Sequence, residues 1–85
     1  MDLKSTFGNR VVEQRKLQHL TQQQLAYRSQ ISISLLRSIE HAKVNTTLDV
    51  IERISKALDM DPEQLIKKLN NRQSYQKVVT QSYRV

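Results

Sequence analysis

The 85-residue chain has no cysteine and no tryptophan, one glycine, one proline, one phenylalanine and three tyrosines. Without cysteine, disulfide scaffolds, thiolate metal sites and cysteine nucleophiles are excluded. One glycine and one proline are too few for a fold of many hairpins, and no glycine-rich loop exists to cradle a phosphate. Apolar runs are short everywhere, so no membrane span is expected. No basic-then-apolar stretch opens the chain, so no secretory leader is expected either. Acidic residues are the scarcer charge: 8 Asp and Glu against 14 Lys and Arg, a net charge of +6.

What is present points to one small domain. Apolar residues make up 38% and charged residues 26%, too hydrophobic a mixture for an extended disordered chain. A domain of this size buries roughly 60–65% of its extended surface, enough for one modest core. The positive charge is unevenly placed. Residues 1–43 hold seven basic and three acidic residues (+4), residues 44–69 four and five (−1), residues 70–85 three and none (+3). Such polarity suits an anionic partner, nucleic acid being the commonest.

Five short helices can be read. The first spans about Ser5 to Gln18, with Phe7 and Val11 on one stripe and Val12 and Leu17 as further apolar candidates. Thr21, with Gln24 three residues on, has the pattern of a capping box and opens a second helix ending near Ser29; Leu25 and Ala26 are its core candidates. Ser32 caps a third helix running to about Glu40, with Leu36 and Ile39 on its buried face. Thr47 caps a fourth, with Leu48, Ile51, Ile54, Ala57 and Leu58 along one stripe. Asp61-Pro62-Glu63-Gln64 starts a fifth, docked by Leu65, Ile66 and Leu69. Asn70-Asn71 ends it. Residues 70–85 lack helical rhythm and leave two readings open. One is a packed or disordered tail; the other is an edge strand pairing with the same strand of a second copy.

The segment TQQQLAYRSQISISLLRSIEHAKVNTTLDVIERISKALDM resembles the helix-turn-helix domain of the lambda and 434 repressor and Cro superfamily. Thr21, Gln22, Leu25 and Ala26 match the opening of the first motif helix. Ile31, Ser32, Leu36, Ile39 and Glu40 match the recognition-helix pattern, and Leu48, Ile51, Ala57 and Leu58 the fourth helix. The resemblance covers about residues 7–69. It implies an all-α, compact five-helix lambda-repressor-like domain, which we assign to residues 1–69. Residues 70–85 form a C-terminal extension, for which a dimerising strand and a packed or disordered tail both stay open. Members of the family typically bind duplex DNA as dimers, the recognition helix entering the major groove.

The resemblance also implies residue roles. Ile33, Ser34, Arg37 and Ser38 fall at or beside base-reading positions. Ile33 would meet a thymine methyl and Arg37 a guanine edge or a phosphate. Gln22, Ser32, Lys43 and Asn45 match phosphate-contacting positions, and Arg10 and Arg28 are further backbone candidates. Arg15 and Glu40 match a paired Arg–Glu that ties the first helix to the end of the third. Arg53, Lys56, Lys67 and Lys68 read as solvated faces. Four positions depart from the family pattern. The family often has glycine where this chain has His19, Gln30 and Ala42, sites that tend to need a left-handed or crowded backbone. Family proline before the fourth helix is replaced by Thr46.

Catalysis finds no footing. His19 and His41 lie 22 residues apart at helix ends, without ligands at metal spacing. Asp59, Asp61 and Glu63 lack the calcium-loop pattern, and no G-x-S-x-G occurs. No enzyme activity, cofactor or metal is expected. The expected function is a sequence-specific, double-stranded-DNA-binding transcriptional regulator, a dimeric repressor or autoregulator on a palindromic operator. Its expected location is cytoplasmic and nucleoid-associated, of bacterial or phage origin, with no membrane partner. A phage Cro-like switch, a restriction–modification controller and an antitoxin-type autoregulator, the last with a toxin or other regulatory protein partner, all suit so short a chain. The alternative is a protein-binding adaptor or antitoxin-like partner on the same scaffold.

Overall fold

The first four helices begin where a short polar side chain takes up an otherwise unpaired amide of the first turn. The computed structural model describes residues 2–66 and contains five helices among them: α1 (Leu3–Leu17), α2 (Gln22–Ser29), α3 (Ile33–Glu40), α4 (Leu48–Ala57) and α5 (Pro62–Ile66). Thr21 closes a complete capping box. Its Oγ1 accepts from Gln24 N at 3.0 Å, and its own amide donates to Gln24 Oε1 at 2.8 Å. Ser32 accepts from Leu35 N at 3.0 Å and Thr47 from Val50 N at 3.1 Å. The amide of Asp61 donates to Gln64 Oε1 at 2.8 Å.

α1 starts two residues earlier than the expected Ser5, because Asp2 caps it, accepting from Ser5 N at 2.8 Å. That backbone hydrogen bond is the main cause holding the Asp2 carboxyl below its ordinary 3.8. A depressed pKa means that the cap's contribution is present above the ordinary carboxylate range and is lost as pH falls through the folded value.

The core is one cluster. α1 supplies Phe7 and Val11, α2 Leu25 and Ala26, and α3 Leu36 and Ile39; Ile54, Leu58 and Leu65 close it from below. α1 packs on α3 and α5, and α2 on α3 and α4. Two apolar candidates, Leu17 of α1 and the stripe residue Leu48 of α4, miss the core. Leu17 is 65% exposed and Leu48 84%. Periodicity gives a stripe but not its centre. At 3.6 residues per turn, each lies about 120° around its helix from the buried residue six positions away, Val11 or Ile54. The expected α5 contact Leu69, Asn70-Asn71 and the tail strand lie outside the described residues.

Gly8 permits the close crossing of α1 and α3. A Cβ there would collide with the Ile39 carbonyl oxygen, a backbone atom that cannot rotate away. Gly8→Ala is therefore expected to lower stability by about 1–3 kcal/mol despite alanine's higher helix propensity. A urea midpoint below wild type is the expected result; a midpoint above it would show that the crossing is not tight.

Among the described residues, four non-glycine residues have left-handed backbones: His19, Gln30 and Asp59 at φ 59° and Ala42 at φ 58°. Each follows a helix and sits inside the same closing bond, from the next amide back to the carbonyl five residues earlier. The pairs are Leu20 N to Arg15 O (3.0 Å), Ile31 N to Ala26 O (3.1 Å), Lys43 N to Ser38 O (2.9 Å) and Met60 N to Ser55 O (2.9 Å). The sites where the family favours glycine do carry its backbone geometry, and this chain sustains it with side chains present.

Candidate nucleic-acid interface

α2 and α3 meet through the tight turn at Gln30 and Ile31. α3 is held from inside by fully buried Leu36 and Ile39, three residues apart on one face. Ser34, Arg37 and Ser38, at spacings of three and four, occupy another face. Ser34 and Arg37 are exposed, and Ser38 is half-buried. Ile33 is also half-buried, packed against the edge of the core. Lys43 and Asn45 stand exposed in the loop that follows, and Arg28 is exposed in the last turn of α2. Ser34, Arg37, Ser38, Lys43 and Asn45 thus lie close together along the chain, and all of them but half-buried Ser38 are exposed.

Behind this face lies a polar network. Arg15 Nε donates to Glu40 Oε2 at 2.8 Å and Nη2 to Oε1 at 3.1 Å, a bidentate pair. Its third nitrogen, Nη1, donates to Leu20 O at 2.9 Å, bracing the turn after α1. The two side chains are only 11% and 3% exposed. Gln22 Nε2 donates to Glu40 Oε1 at 2.9 Å, and Gln22 Oε1 accepts from Arg37 Nε in a long bond of 3.4 Å. The side chain of Gln22, matched by resemblance to a phosphate contact, is thus engaged within the protein.

Arg10 stands apart from the other backbone candidates. Its Nε and Nη2 donate to Gln64 O at 3.2 and 3.0 Å, its Nη1 pairs with Glu13 at 2.6 Å, and its side chain is 15% exposed. That geometry makes it a clamp between α1 and α5. Arg53, expected on a solvated face, has a second task. Besides Asp49 Oδ2 at 2.9 Å it reaches Gln30 O at 3.3 Å, tying α4 to the helix-turn-helix corner. Gln18 Nε2 likewise donates to Leu58 O at 2.9 Å. Local sequence signals do not reveal these joints, because the partners are 54, 23 and 40 residues apart.

A family model described as Helix-turn-helix matches residues 11–65, more than half of the chain. The chain belongs to this helix-turn-helix family. It is a DNA-binding regulator of the Cro/C1 repressor type, with the five-helix lambda-repressor-like fold. The restriction-modification controller protein C.AhdI from Aeromonas hydrophila is similar at 32% identity, with 73% of this chain and 94% of that one covered and a TM-score of 0.71. A hypothetical transcription factor, NHTF, from Neisseria shares the fold at 22% identity, with 87% and 85% covered and a TM-score of 0.81. No curated protein matches the sequence. Among the described residues of this helix-turn-helix chain, no group of three or more His, Cys, Asp or Glu could hold a metal ion. No described helix is long and apolar enough to cross a membrane.

Proposed function

We propose that the protein represses transcription as a dimer, occupying a two-fold symmetric operator with α3 of each copy in the major groove. The observation that carries this reading is the division of α3 into a buried Leu36/Ile39 face and an accessible Ser34/Arg37/Ser38 face. A helix anchored in this way can lie in the groove without losing core contacts. Arg37 reads guanine or phosphate, Ser34 and Ser38 add short, tolerant hydrogen bonds, and Ile33 meets a thymine methyl from its half-buried seat. Readout through so few long donors is thin, so DNA shape carries part of the specificity.

Phosphate contacts fall to Gln22, Ser32, Lys43, Asn45 and Arg28. The Ser32 Oγ accepts from Leu35 N, which leaves its hydroxyl proton for a phosphate oxygen. The Gln22 backbone N–H lies at the start of α2, where the helix dipole favours an anion, and leaves the side chain to its bonds within the protein. Arg10 is left out because its donors are used at the α1–α5 joint. Among the three biological settings, the likeness to C.AhdI favours a restriction–modification controller. The adaptor reading draws on exposed apolar side chains away from α3, chiefly Tyr27 and Leu48.

Selection from a random duplex pool tests the proposal. Wild-type protein should enrich a two-fold symmetric motif, and the Ser34→Ala, Arg37→Ala double variant should lose or blur it. Absence of any motif, or an unchanged motif in the variant, would favour the adaptor.

A further inference from the structure

We infer that Gln22 is a positioning residue for base readout, working through Arg37, and that Glu40 sets its orientation. This rests on the proposal that α3 reads DNA. Glu40, when ionised, only accepts hydrogen bonds, and its carboxylate is fixed by the bidentate bonds from Arg15. The Gln22 amide therefore has one satisfactory orientation, with Nε2 on Glu40 Oε1 and Oε1 turned toward α3. There it accepts from Arg37 Nε. With Nε held, Nη1 and Nη2 of Arg37 have no protein partner among the described residues, and the side chain is exposed. The end of the guanidinium is then presented as a free two-pronged donor, the form that matches O6 and N7 of guanine. Arg15, Glu40, Gln22 and Arg37 form a relay from the protein interior to the reading face. The identity of residue 22 thereby influences which base residue 37 prefers.

A phosphate contact by Gln22 alone makes a different prediction, since backbone contacts carry no sequence information and their loss weakens binding uniformly. The test measures the affinity of full-length wild-type, Gln22→Met, Arg37→Ala and double-variant proteins. The DNA probes are the selected duplex and duplexes changed at one base pair. Methionine keeps the length and apolar stem of glutamine without its hydrogen bonds, and thermal unfolding confirms that each variant is folded.

Arg37→Ala should cut the preference for guanine at one position about tenfold. Gln22→Met should cut the same preference about three- to tenfold, beyond any loss shared by all duplexes. In the double variant, Gln22→Met should remove no further preference. A uniform loss in Gln22→Met with the guanine preference intact overturns the relay but leaves α3 readout standing. An Arg37→Ala protein with unchanged preference also overturns it. Failure of the wild-type protein to prefer any duplex overturns both.

Discussion

Glu40→Ala is expected to destabilise the domain by about 3–5 kcal/mol, the range for removing one partner of a buried ion pair. The Glu40 carboxylate accepts three bonds, two from Arg15 and one from Gln22, with its side chain 3% exposed. Truncation leaves the Arg15 guanidinium, 11% exposed, with Leu20 O as its one remaining acceptor among the described residues. Small domains have only about 5–15 kcal/mol of stability in total, so much of the folded population is at stake. Asp49→Ala provides the contrast. Its bond to Arg53 joins side chains that are 67% and 42% exposed, and such pairs contribute about 0–1 kcal/mol. Urea unfolding of the two variants should show a large shift for Glu40→Ala and a small one for Asp49→Ala. Equal shifts would mean that burial of the Arg15–Glu40 pair has no energetic consequence. Replacing both partners by apolar residues of similar size should be milder than either single truncation, because no charge is then stranded.

The opposite sign is expected at the helix ends. His19, Gln30 and Ala42 hold φ values of 58–59° that glycine adopts without penalty. A residue with a Cβ gives up roughly 1–2 kcal/mol there, partly offset by glycine's greater freedom in the unfolded chain. Each glycine substitution should therefore add up to about 1 kcal/mol. The three sites close different helices, so their effects should nearly add. The triple variant is expected to gain about 2–3 kcal/mol and roughly 10–20 °C in melting temperature. Gln30→Gly gains least, because the Gln30 side chain also accepts a 3.5 Å bond from Arg53. A triple variant melting at or below wild type would show that these side chains contribute more than their backbone geometry costs.

The same residues explain what could be read in advance. The helix starts at Thr21, Ser32 and Thr47 were legible because capping is local, a side chain bonding an amide three residues on. The start of α1 is less legible: read from sequence, the helix begins at about Ser5 without a cap, whereas Asp2 caps it by accepting from the Ser5 amide. Left-handed geometry at His19, Gln30 and Ala42 came into view only through the family's preference for glycine. Asp59, the fourth such site, carried no comparable signal. The pairing of Arg15 with Glu40 came from the resemblance alone, across 25 residues of sequence. Nothing in the local pattern announces that Gln22 turns inward to Glu40, that Arg10 serves α5, or that Arg53 braces the corner at Gln30. Those depend on how helices cross, which is settled by the whole core rather than by any one segment.

The most direct test of a duplex-facing α3 surface needs no known operator. It is the salt dependence of binding to random-sequence duplex DNA, for wild type and for Lys43→Ala. Each neutralised phosphate contributes about −0.9 to the slope of log affinity against log salt. With Arg28, Arg37 and Lys43 engaged in both copies of a dimer, the slope should be about −5. Lys43→Ala should make it shallower by about 2 units, one phosphate per copy. A slope near zero, or a slope unaffected by Lys43→Ala, would contradict a phosphate-gripping surface along α3 and the loop after it.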